Sequence, residues 1–164
     1  MESLDVRPLR LSDIRTAYPL IRQAIPRLDF KEWRQFAQRA ADPRYSHKHG
    51  VIVVQRYQRP HPSGLFCYAK EFDLNHGQIL SARHFVVLDL FCAEALMAAL
   101  IVGLEALGSQ LHCAVVRTHP LSGASDVVAG LLAAGHQLEG SSFTKSLGQT
   151  SSTPITLASV RSTP

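Results

Sequence analysis

The eight histidines and three cysteines are the side chains best suited to ligate a metal or attack a substrate. His47-x-His49 with His61 could gather a cation across a hairpin. No carboxylate or cysteine falls at a supporting interval, so they are expected to be solvated loop histidines with no metal. His112-Cys113 would suit a base and a nucleophile, but neighbours on a strand point to opposite faces. Cys67, Cys92 and Cys113 are odd in number, lie in apolar runs and form no CxxC pair. They read as small buried hydrophobes in a reducing compartment. GxSxG, GxxxxGK[ST] and GxGxxG are all absent, which leaves hydrolase and nucleotide-binding readings without support.

The elements that must position any site come from periodicity. Residues 82–107 (ARHFVVLDLFCAEALMAALIVGLEAL) hold most of the apolar content and read as a buried strand running straight into a buried helix. Before them, Asp5–Leu9 makes a first strand. Ser12 is expected to cap a helix carrying Ile14, Ala17, Ile21 and Ile25, which Pro19 should kink or split and Pro26 should end. A second helix starts at Asp29, with Glu32 in capping-box register and Phe30, Trp33, Phe36, Ala37 and Ala40 as its apolar stripe.

The period then changes to that of strands. Gly50–Tyr57, Leu65–Phe72 and roughly Gln78–Leu90, joined by turn-forming loops, make an antiparallel meander. A helix from about Cys92 to Leu107 is apolar nearly all round, so it should be buried on more than one side and stop at Gly108. Leu111–Thr118 is a strand, and strand–helix–strand spacing implies parallel pairing. Asp126–Ala134 is a short helix stopped at Gly135, and His136–Leu147 a last strand or hairpin. The plan is one mixed α/β domain over 1–147 with a Ser/Thr/Pro-rich tail over 148–164.

Composition bounds the function classes. Hydrophobic residues make up 46% and charged residues 18%, an ordinary globular balance. Asp89, Glu94 and Glu105 interrupt the longest apolar run, and no cationic start leads into an apolar stretch. The expectation is a cytoplasmic protein with no membrane span. The net charge is +4, concentrated in the first sixty residues. Those charges are spread along helix faces, so nucleic-acid binding through the basic amino-terminal helices is the least favoured reading.

The order of elements, with VRPLRLSDI at the start, the meander, and AGLLAAGHQLEGSSFTKSL near the end, resembles the GNAT superfamily of acetyl-CoA-dependent N-acetyltransferases over about residues 4–147. The resemblance implies a GNAT-like mixed sheet that splays between strands four and five, with acetyl-CoA's pantetheine in the gap. Backbone groups at Leu88 and Leu90 would pair with the pantetheine amides. Amides at the start of the next helix would hold the pyrophosphate, since a helix N-terminus presents unpaired N–H groups. His84, six residues before Leu90, matches the position of the general base in some members, and imidazole chemistry suits that role.

The sequence departs from that pattern at the phosphate end. Where glycines and a basic residue are usual, the junction reads Leu90-Phe91-Cys92-Ala93-Glu94-Ala95-Leu96, with Asp89 just before it. The tyrosine that commonly reprotonates the thiolate, four residues before the glycine of the last turn, is replaced by Leu131. His119-Pro120 stands where an asparagine is common. Three readings follow: an N-acetyltransferase-like protein acting on an unidentified amine, a catalytically silent GNAT-fold binding or dimerisation module, and a nucleic-acid-associated protein. The apolar helix after strand four offers surface for a second copy.

Overall fold

The computed structural model describes residues 3–57 and 59–139. Five strands form one sheet in sequence order: β1 (Leu4–Pro8), β2 (His49–Arg56), β3 (Gly64–Asp73), β4 (Gly77–Val87) and β5 (Val115–His119). The first four pair antiparallel and β5 runs parallel to β4, as the helix between them requires. Four helices, α1 (Ile14–Ala24), α2 (Phe30–Ala40), α3 (Ala93–Gln110) and α4 (Ser125–Ala133), cover both faces.

Strand alternation divides the core in two. Val51, Val53, Leu65 and Cys67 pack under α1 and α2, through Ala17, Ile21, Trp33 and Ala37. The intervening residues Ile52, Val54, Phe66, Leu80 and Ala82 pack under α3 and α4, through Leu96, Leu100, Leu104 and Leu131. Phe66 and Phe85 stack with ring centres 5.2 Å apart.

Local signals acted as expected at α2 and α4. Asp29 accepts the Glu32 amide while Glu32 reaches back to the Asp29 amide, closing a capping box worth about 1 kcal/mol. At α4, Gly135 takes φ +86°. That turn lets the Gly135 amide reach Leu132 O and the His136 amide reach Leu131 O, both at 3.0 Å.

Four expectations need correction. Ser12 does not cap α1. It lies in a 3-10 turn, Leu11–Asp13, where the Asp13 carboxylate instead accepts the Arg10 amide and the Arg7 guanidinium. Pro19 does not split α1, which runs unbroken through it. Gly108 does not stop α3: it is buried inside the helix, where a missing Cβ lets Val116 approach, and the helix continues to Gln110. Helix α3 packs against the sheet through Leu100 and Leu104 and, as expected, on a second side against α4, where Met97 and Ile101 lie against Gly130, while its Ala95, Ala98, Val102 and Ala106 are exposed. It is long and apolar enough to cross a membrane by composition, and here it is the core helix over the sheet. The expected last strand or hairpin over 136–147 is not formed at 136–139. The rest of it, and the tail over 148–164, lie outside the described residues.

Candidate functional site

The sheet opens at one place. Pairing between β4 and β5 runs from Ile79↔Val115 to Arg83↔His119 and stops there. β4 continues to Val87 against β3 alone, so from His84 onward its other edge has no strand partner among the described residues. A β-bulge lies at the same point, where β5 itself ends at His119. Leu65 faces Val86 and Cys67 faces Arg83, leaving Phe66 opposite both His84 and Phe85. The extra residue is His84, held at φ +56°, a conformation uncommon for a side chain other than glycine.

Beyond the bulge lies a cavity of about 1090 Å³, at the upper end of the range that encloses a small ligand. Phe85, Val86 and Val87 form one wall, Met97, Ala98 and Ile101 of α3 a second, and Ala124 with Val127 at the start of α4 a third. Glu94, Glu105 and Asp126 also line it, with no lysine, arginine or histidine among the described lining residues. Glu105 shares its carboxylate with His136 Nε2 at 2.9 Å.

His84 stands at the fork of the split without lining the cavity. Its Nδ1 is buried and has no hydrogen-bond partner. Burial first, and the Arg83 cation second, hold the imidazole below its ordinary value of 6.5, so it is neutral near pH 7 and able to accept a proton. His119, across from Arg83, is lowered by burial and by the same cation.

Leu88 and Leu90 lie outside β4, which ends three residues short of the expected Leu90. The Leu88 amide is given to Ser63 O at 2.8 Å, and the Leu90 side chain is 94% exposed. The strand stops there because the chain turns on Asp89. Asp89 Oδ1 accepts the amides of Phe91 and Cys92 at 2.8 and 2.9 Å, and Oδ2 takes Arg56 Nη1 at 3.2 Å. The Phe91 amide leads in holding this carboxyl below its usual range. Burial opposes it, and the Cys92 amide and Arg56 add to the lowering.

A coenzyme phosphate would find this end of the site already supplied with an anion. Two of the amides leading into α3 are taken by Asp89, the nearby guanidinium is neutralised by it, and exposed Glu94 follows in the first turn. The residues present do not fit a pyrophosphate. Leu131, at the expected position of the general acid, is a buried core residue. The sequence shows the acids Asp89 and Glu94 at this junction. Sequence reasoning missed the ion pair with Arg56, which lies thirty-three positions away in the chain and leaves no local signal.

No family model matches the chain, and no curated protein matches it either. Solved structures do. Glucosamine-6-phosphate N-acetyltransferase from Arabidopsis thaliana is 17% identical with a TM-score of 0.70, over 88% of this chain and 99% of that one. Aminoglycoside N-acetyltransferase AAC(6′)-Iy in complex with CoA is 12% identical with a TM-score of 0.74, over 89% and 96%. Ribosomal-protein-alanine N-acetyltransferase from Brucella melitensis biovar Abortus 2308 is 14% identical with a TM-score of 0.68, over 88% and 100%. At these identities the likeness is one of fold, and the fold is that of the GNAT acetyltransferases.

Proposed function

We propose that this GNAT-fold chain is an N-acyltransferase-like protein that holds an amide-bearing thioester arm in the split between β4 and β5. The observation that carries the reading is the edge of β4 from Phe85 to Val87, without a strand partner among the described residues and lining a cavity of about 1090 Å³. A strand edge with no neighbour offers main-chain groups at regular spacing, and an extended arm with amides can complete them as a further strand would. Acyl transfer forms a C–N bond to the amine and breaks the C–S bond, with the thiolate leaving. The amine must be unprotonated to attack, and neutral His84 at the fork is the group proposed to take its proton. The acceptor is an amine whose identity nothing in the site fixes.

The test is thiol release from an acyl thioester across a panel of amines. Turnover that falls by about a hundredfold in His84→Asn, with the melting temperature at pH 8 unchanged, is the expected result. Unchanged turnover removes His84 from the mechanism. A second reading, a silent GNAT-fold binding module, is favoured by Leu131 in the core where a proton donor would be needed. Thioester binding with no thiol release under any amine would select it.

A further inference from the structure

We infer that the acyl donor of this site lacks the nucleotide half of coenzyme A: the cavity takes a pantetheine-like thioester, and phosphates add nothing to its binding. The inference rests on the reading above, that the split holds a thioester arm. It comes from the contrast between the two ends of the site.

The arm end has an apolar wall. Val86, Val87, Met97, Ala98 and Ile101 supply apolar wall beside the unpaired edge of β4. The phosphate end is closed by the chain's own charge. Asp89 takes the amides of Phe91 and Cys92, just ahead of α3, and the Arg56 guanidinium, so the cation and the amides leading into the helix are already bonded to an anion. Replacing it would leave Asp89, which is 7% exposed at its side chain, without partners in a site where an unpaired charge is costly. The remaining charges lining the cavity, Glu94, Glu105 and Asp126, are all of the sign that repels phosphate. A neutral arm meets none of these obstacles.

Calorimetry of the full chain against acetyl-CoA, S-acetylpantetheine and adenosine 3′,5′-bisphosphate tests the inference. S-acetylpantetheine is expected to bind within about threefold of acetyl-CoA or tighter, and the bisphosphate to give no heat. Salt should leave S-acetylpantetheine unaffected and strengthen acetyl-CoA by screening the repulsion. The double variant Asp89→Asn with Glu94→Gln should gain several-fold for acetyl-CoA alone. Acetyl-CoA binding about tenfold or more tighter than S-acetylpantetheine, or displacement by the bisphosphate, overturns this inference and leaves the proposed function standing. No binding of either thioester overturns both.

Discussion

A Cβ built on Gly108 would meet Val116 Cγ2 at 2.8 Å, so the contact between α3 and β5 is set by the one hydrogen at that position. Gly108→Ala gains helix propensity of about 1 kcal/mol and meets an overpacking cost of about 2 kcal/mol. A net loss of about 1 kcal/mol in urea unfolding is expected. Adding Val116→Ala should make the alanine at 108 neutral or favourable. An unchanged midpoint in Gly108→Ala alone would show that the helix moves freely against the strand.

Pro19 is exposed in the middle of α1 and cannot donate to the turn before it. Pro19→Ala restores that bond and removes the ring, so it should stabilise the chain by about 1 kcal/mol, reduced from the full helix-interior figure by the entropy proline removes from the unfolded chain. A melting temperature that falls would mean the ring has a packing role.

Asp13 ties α1 to the sheet. Burial acts to raise its pKa, but the Arg7 hydrogen bond, the Arg10 amide and the Arg7 charge together bring it below the ordinary 3.8. A depressed carboxyl contributes stability above its unfolded pKa that is lost as pH falls through the folded one. Asp13→Asn should therefore cost about 2 kcal/mol at neutral pH and progressively less under acid, where the wild type loses the same contribution. Parallel acid curves for the two proteins would refute this.

His84 and His119 carry the opposite sign of charge and the same direction of shift. Both are lowered from 6.5, so the unfolded chain binds more protons and stability declines as pH drops below about 6.5. Melting temperatures from pH 8 to pH 5 should fall, and fall less in a His84→Asn variant. Asparagine tolerates the positive φ at that position, which keeps the comparison one of charge.

Much of this was legible in the chain itself. The capping box at Asp29, the meander, the parallel β4–β5 pair and the stop at Gly135 are local patterns, and local patterns survive folding. The failures have tertiary causes. Asp13 displaced Ser12 as the group at the start of α1 because Arg7, on a different element, reaches it. Gly108 looked like a helix end because its actual partner, Val116, arrives only when β5 docks. Leu88 and Leu90 looked like strand because their residue types are apolar, while Asp89 between them decides the backbone by bonding two amides ahead and one arginine far behind. The bulge at His84 has no signature at all in a run of residues suited to a plain strand.

That bulge has a topological meaning. Phe85 faces the α3 side and Val86 pairs with Leu65 on the other, as they would if His84 were absent and Phe85 followed Arg83 directly. The histidine is thus a spacer in the strand, adding length without turning any neighbour over. A chain with residue 84 deleted would keep every core side chain on its own face and carry a β4 without the bulge. One inserted residue marks the point where β4 leaves its regular register with β3, just past the end of β5.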